Sequence, residues 1–269
     1  VQVRVALRTP AASLRLAAAV RAARAAERSA DLLWIDAEDE AEGLLAAAAL
    51  ATRSARIGIA VGVGLPLHQP IRVAEDVATL DGLSAGRCEL VLRPGATAPD
   101  RWEELEEEVA LLRRAWSAEP LERSGAGGVR QSLDVHPKPA RPGGPHLWIE
   151  PDRAAAEAGA RSAARLGAGL VADDGRQARR YLDLWRRAGR GDPPRVALRL
   201  QPGEISDLPK GVGGEGGREL SRFLAAARAR VEEVAAGLWP VGRDRPAVVT
   251  GIFAPGAPGD RILEAGGDA

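Results

Sequence analysis

"GVGLPLHQPIRVAEDVATLDGLSAGRCELVL", Gly62 to Leu92, is the stretch from which the fold can be read. It reads as the end of a strand, a turn, a helix, a short loop and a new strand. The residues before it, RIGIAVGVGL (Arg56 to Leu65), run apolar with little alternation. Such a run predicts a strand buried on both faces, as in parallel sheets. Pro70 stands where a helix's first N–H has no intrahelical partner to lose. Val73, Val77 and Leu80 fall at i, i+4 and i+7 and form one apolar stripe. Gly82 suits the C-terminal cap of a helix over Pro70 to Leu83, and Cys88 to Leu92 starts the next strand.

The same rhythm runs outward in both directions. Val1 to Leu7 alternates like a strand, Ser13 to Arg28 is helical, Asp31 to Asp36 is a short strand and Glu40 to Thr52 is helical again. After Leu92, Asp100 and Glu103 form a capping-box pattern. Leu105, Val109, Leu112 and Trp116 make the buried stripe of the helix that follows. Its early glutamates and its late Arg113 and Arg114 complement the helix dipole. Residues 117–145, rich in Gly, Pro and charge, break the rhythm as one long excursion. Strands are then expected at His146 to Glu150, Gly169 to Ala172, Arg195 to Leu200 and Ala247 to Phe253. Helices are expected at Arg153 to Leu166, Arg176 to Ala188 and Arg218 to Gly237. Glu204 to Gly217 reads as a loop, and Gly259 to Gly266 as a short terminal helix. Eight strands alternating with helices imply parallel pairing with right-handed crossovers. The fold class is α/β, a (β/α)₈ TIM barrel forming a single domain over residues 1–269. The structural rival is an open doubly wound sheet, but no G-x-G-x-x-G follows the first strand.

Composition narrows the function classes. The 37 basic and 37 acidic side chains cancel, which argues against general binding to nucleic acid or to a membrane surface. Only Lys138 and Lys210 are lysines, so arginine carries the positive charge. The single cysteine, Cys88, allows no internal disulfide and reads as a small buried hydrophobe. The three histidines and this cysteine are too far apart in sequence for a metal-ligand pattern, so no metal is expected. The N-terminal residues lack a signal-peptide pattern and no segment reads as a membrane span, so the expected compartment is the cytoplasm.

LPLHQPIRVAEDVATLDGLSAGRCEL (Leu65 to Leu90), DVHPKPARPGGPHLWI (Asp134 to Ile149) and AARLGAGLV (Ala163 to Val171) follow one another in the order found in a known family. LLWIDAED (Leu32 to Asp39) and WEELEEEVALLRRAW (Trp102 to Trp116) add support. Over roughly residues 1–200 the chain resembles the luciferase-like monooxygenases, as a divergent member with shortened loops. These include bacterial luciferase, FMN-dependent monooxygenases and F420-dependent oxidoreductases. The resemblance implies a (β/α)₈ barrel with reduced FMN or coenzyme F420 at the C-terminal ends of its strands. It also implies a backbone bulge at the end of the third strand, often a non-proline cis peptide, pressed against the cofactor ring. Val61, Gly62 and Val63 hold that position, where glycine permits close backbone approach.

The departures bear on the chemistry. Many members carry a histidine after the second strand; here the text is IDAEDEAEGL, with no histidine. Asp36 stands at that strand end, either as a proton-handling carboxylate in the barrel mouth or as part of a solvated acidic helix start. Small residues usual after the fourth strand give way to Val91 and Arg93. Arg93 is placed either to grip a phosphate or carboxylate or to block the cofactor seat. Glu150, Pro151 and Asp152 disfavour a phosphate after the fifth strand unless Arg153 offsets them. Gly167 and Gly169 remain as a close backbone approach, with Ala168 in place of the usual aspartate. His68, His136 and His146 read as structural or exposed. Trp34 and Trp148 read as core.

Two functions stand side by side at this stage. One is a flavin- or F420-dependent oxidoreductase acting on a small organic substrate, with residues 117–145 as a lid and, for FMN, a flavin reductase supplying electrons. The other is a degenerate, cofactor-free member serving as partner subunit or small-ligand binder. A homodimer through Glu40 to Thr52 and Pro70 to Leu83 is expected in either case, because family members commonly pair there.

Overall fold

A computed structural model describes residues 2–10, 27, 30–37, 40–65, 67, 69–94, 101–124, 130–200, 216–239, 246 and 248–253. The elements are β1 (Gln2–Pro10), β2 (Leu32–Asp36), α1 (Glu40–Ala51), β3 (Gly58–Gly64), α2 (Pro70–Leu83), β4 (Cys88–Arg93) and α3 (Arg101–Trp116). They continue with β5 (Leu121–Ser124), β6 (Arg130–Leu133), β7 (His146–Ile149), α4 (Ala156–Leu166), β8 (Gly169–Ala172), α5 (Gly175–Arg187), β9 (Arg195–Leu200), α6 (Gly216–Leu238) and β10 (Val248–Phe253). Strands β1, β10, β9, β8, β7, β4, β3 and β2 close into a barrel in that order. Every pair around it is parallel. The open doubly wound sheet is therefore excluded. Strands β5 and β6 form a separate antiparallel hairpin inside the 117–145 excursion.

The opening β-α-β unit forms as the sequence indicates. In α2, Val73, Val77 and Leu80 are buried, with Ala74 and Ala78 beside them. The helix end differs from expectation. Gly82 is still helical, and the chain turns at Ala85 (φ +52°) and Gly86 (φ +77°). The cap is set by Ser84, whose N–H donates to Leu80 O at 2.9 Å. On α3, Leu105, Val109, Leu112 and Trp116 are buried as predicted. Asp100, its expected cap, lies outside the described residues, as do the bulk of the expected helix over Ser13 to Arg28, His68, the loop residues 204–215 and the terminal segment 259–266. Cys88 is free and buried. Among the described residues no helix is long and apolar enough to cross a membrane.

Two apolar layers result. One lies between strands and helices and is continuous around the barrel. The other fills the barrel itself, with Ala6, Trp34, Ala60, Val91, Trp148, Val171, Ala197 and Ile252 among its members. Trp34 and Trp148 meet at its centre with ring centroids 6.2 Å apart, tilted by 57°. Both are core residues, as their positions in sequence suggest. The middle of the barrel is solid, so any site must sit at one of its two ends.

Candidate functional site

Side chains along a strand alternate between faces. The residue two places past each central in-facing residue therefore points inward one layer nearer the strand's C-terminal end. Past Ala6, Trp34, Ala60, Val91, Trp148, Val171 and Ala197 these residues are Arg8, Asp36, Gly62, Arg93, Glu150, Asp173 and Arg199. Among the described residues the mouth is thus lined by three arginines, three carboxylates and one glycine.

They form one connected network. Arg8 Nη1 donates to Glu150 Oε1 at 2.7 Å, and its Nε and Nη2 donate to Asp36 Oδ2 at 2.9 and 2.7 Å. Arg199 Nη2 donates to the same Glu150 oxygen at 2.8 Å, and its Nη1 pairs with Asp173. Arg93 pairs through Nη1 with Asp36 and lies 3.4 Å through Nε from Glu150 Oε2. The backbone fixes the two central members: Glu150 N donates to Leu92 O at 2.9 Å, and Leu65 N donates to Arg93 O at 3.0 Å. Glu150 is the hub, its side chain 3% exposed. Burial acts to lower the Arg199 pKa, but Glu150 and Asp173 outweigh it and raise it. Arg93 Nε, Arg93 Nη2 and Glu150 Oε2 are buried without a hydrogen-bond partner among the described residues.

The structure gathers some predicted site residues and separates others. Asp36, Gly62 and Arg93 meet at the mouth, and Asp36 faces the barrel rather than a solvated helix start. Val61 and Val63 are buried in the layer behind β3, packed toward the helices, and do not face the mouth. The cis peptide among the described residues is His136–Pro137, and the bonds within β3 are trans. Gly167 and Gly169 lie at the start of β8, at the opposite end of the barrel. Gly167 (φ +66°) is the left-handed cap of α4, with Ala168 N donating to Ala163 O at 2.9 Å. Gly169 is small because a Cβ there would run into the Trp148 ring. Gly167 serves the helix cap and Gly169 serves packing. Sequence reading missed Arg8, Asp173 and Arg199, which lie on or just past other strands and join Asp36 and Arg93 only when the barrel closes.

What Gly62 faces decides whether a cofactor ring fits. A Cβ on Gly62 would run into the Arg93 guanidinium. The bare backbone expected to support a flat ring is covered by this chain's own side chain. With Arg93 in that place the residues do not fit a flavin or deazaflavin ring on β3. Arg93 pairs with this chain's own Asp36 and Glu150, and in that position it covers the seat. Among the described residues no group of His, Cys, Asp and Glu could hold a metal ion.

Comparisons with known proteins agree with this architecture. A family model described as luciferase-like monooxygenase matches residues 1–202. No curated protein matches the sequence. The monooxygenase RslO1 from Streptomyces bottropensis is similar in structure, with TM-score 0.65 and 17% identity, over 98% of this chain and 97% of that one. EDTA monooxygenase (EmoA) from Chelativorans sp. BNC1 gives TM-score 0.68 and 15% identity, over 99% of this chain and 93% of that one. The oxygenating constituent of 3,6-diketocamphane monooxygenase from Pseudomonas putida, solved in complex with FMN, gives 0.55 and 16%, over 74% and 67%. At these identities the three structures speak to the fold.

Proposed function

The chain belongs to the luciferase-like monooxygenase family, and from that premise we propose that it is an oxidoreductase whose working site is the barrel mouth, taking a small organic substrate with reduced FMN or F420 as redox partner. One observation carries the reading: six ionisable side chains from different strands or strand ends converge there. Stability alone does not account for them. A buried ion cluster contributes about as much as apolar packing of the same volume, or less. The middle of the barrel shows what this chain uses where only packing is needed. Asp36, held by two arginines and still partly open to the mouth, is the group placed to accept a proton from a substrate. The guanidinium of Arg93 covers the backbone of Gly62 where the ring would rest.

A second reading is favoured by that cover: a family member without a cofactor, acting as partner subunit or small-ligand binder. Uncovering Gly62 takes Arg93 off Asp36 and Glu150. Breaking a buried pair costs about 3–5 kcal/mol, which weakens ring binding by roughly 10²- to 10⁴-fold. Anaerobic titration of reduced FMN and reduced F420 into wild type and Arg93→Ala separates the two. Under the first reading wild type binds one of them at micromolar concentration. Under the second, wild type binds neither. If Arg93→Ala then gains binding, the cover is what closed the seat; if neither protein binds either cofactor, the oxidoreductase reading falls. A homodimer through α1 and α2 is part of the proposal, supported by exposed Leu45 and Leu83 on those helices. Light scattering that finds only monomer would refute it.

A further inference from the structure

The N-terminal end of the barrel holds a second concentration of charge. A partly enclosed cavity of about 230 Å³ opens between the starts of β7, β8 and β9 and the end of α3. Its wall includes Arg113 from α3, His146 from β7 and Arg195 from β9. Arg190 reaches its edge, with Nη1 3.3 Å from where a Cβ on Gly167 would lie. Glu89 is taken by Arg4 at 2.8 Å and by Trp148 Nε1 at 2.7 Å. Asp81 is taken by Arg141, at 3.1 Å through its backbone N–H and 3.4 Å through Nη2. The side chains of Arg113, Arg195 and His146 have no hydrogen bond or ion pair among the described residues. Among the described residues the one carboxylate on the cavity wall, exposed Asp192, acts on Arg113 and Arg195 without pairing with them.

Cations brought together without anions repel one another and lose hydration. A bound anion reverses both penalties at once. We propose that this cavity is a binding site for a small oxyanion, a phosphate group free or at the end of a small ester, held by Arg113, Arg195 and His146. The cavity's size supports a small ligand, since it lies below the roughly 300–1,000 Å³ of drug-sized sites. The site is separated from the mouth by the packed tryptophan layer, so it stands or falls independently of the reading of the mouth.

Burial and neighbouring cations both act on these groups. Burial, then Arg190, lowers the Arg113 pKa against the opposing Asp192. Burial lowers that of Arg195, with Arg4 and Arg141 adding to it and Glu89 opposing. Burial, then Arg195 and Arg141, lowers His146 to about 4.

The test is calorimetric titration of inorganic phosphate into the full chain, with chloride at matched ionic strength as control. Glycerol 3-phosphate serves as the ester arm. Wild type should bind phosphate saturably, and Arg113→Gln and Arg195→Gln should each weaken it roughly 10- to 100-fold, the worth of one charge-assisted hydrogen bond. Tighter binding of glycerol 3-phosphate would assign the site to an ester; equal or weaker binding would assign it to the free ion. Removing an unpaired cation should not harm folding. As a second readout on wild type, the His146 ring titration followed by NMR should move up in pH when phosphate is present. No saturable binding of either probe to wild type, or binding unchanged in both variants, overturns the proposal.

Discussion

The two ends of this barrel contain similar inventories of charge and arrange them in opposite ways. At the mouth, Arg8, Arg93 and Arg199 meet Asp36, Glu150 and Asp173, and each cation has a carboxylate partner. At the base, Arg4 and Arg141 find Glu89 and Asp81, while Arg113, Arg195 and His146 face a cavity without a partner in hydrogen-bonding range among the described residues. The barrel's usual site is thus closed on itself, and the end that normally serves stability is the one left wanting a ligand. Fold alone would assign these roles the other way round. Charge balance, counted group by group, is what separates a seat that must be opened from one that must be filled.

The largest expected effect tests that contrast directly. Glu150→Gln leaves Arg8 and Arg199 without their common anion and Arg93 with Asp36 alone. With the hub almost wholly buried, unfolding in urea should show a loss of about 3–5 kcal/mol. Arg113→Gln at the base should cost nothing or raise stability slightly, because it removes repulsion rather than a pair. A cost below about 1 kcal/mol for Glu150→Gln would place the mouth network with ordinary surface ion pairs and dissolve the contrast. A cost at Arg113 matching that at Glu150 would dissolve it from the other side.

A smaller effect separates the two glycines that sequence reading had grouped together. Gly169→Ala drives a Cβ into the Trp148 ring. That ring is held by its bond to Glu89 and by Trp34, and cannot move aside. Overpacking of this kind costs about 1–3 kcal/mol, and cofactor affinity should not change. Gly62→Ala meets the far end of a flexible arginine instead, so its signature is a displaced Arg93 at the mouth rather than strain in the core. A thermal melt of Gly169→Ala indistinguishable from wild type would mean that Trp148 has room the structure does not show.

These two glycines also show what the sequence made legible. The eight-strand alternation, the Pro70 helix, the buried stripe of α3 and the tryptophan core all rest on local patterns of polarity, and local patterns survive without coordinates. Asp36, Gly62 and Arg93 were legible as mouth residues because Asp36 and Arg93 end their strands and Gly62 lies two residues from the end of its own. Gly167 and Gly169 were misplaced because a glycine's small size serves a helix cap or a ring contact as readily as a cofactor. Only the neighbours, Ala163 and Trp148, tell these uses apart. Arg8 and Arg199 looked like ordinary alternating strand residues, and Asp173 followed a strand end without any motif. Their meaning lies in partners 26 to 142 residues away, which periodicity along one strand does not encode. The unpaired state of Arg113 is more distant still from sequence, since it is a statement about what does not come near.

The smallest expected effect falls on pH dependence and sharpens the contrast from the base. Unfolded, the His146 imidazole titrates at its ordinary 6.5; folded, it titrates at about 4, because burial and then Arg195, Arg141 and Arg4 disfavour its charged form against Glu89. Between those values the unfolded chain binds more protons than the folded one. Stability is therefore full above about pH 6.5 and declines as pH falls toward 4. Glu89 has the opposite chemistry and a lower window: burial raises its pKa, Arg4 and the Trp148 hydrogen bond outweigh this, and the net shift is downward. Its contribution is present above the ordinary 4.5 and is lost below it. His146→Gln should flatten the stability curve from pH 6.5 to 4 and leave the fall below 4.5 intact. Saturating phosphate should flatten the same limb in wild type by restoring a counter-charge beside the ring. Parallel curves for wild type and variant across that range would mean that His146 does not feel the arginines around it, and the base would then be no more open to an anion than the mouth.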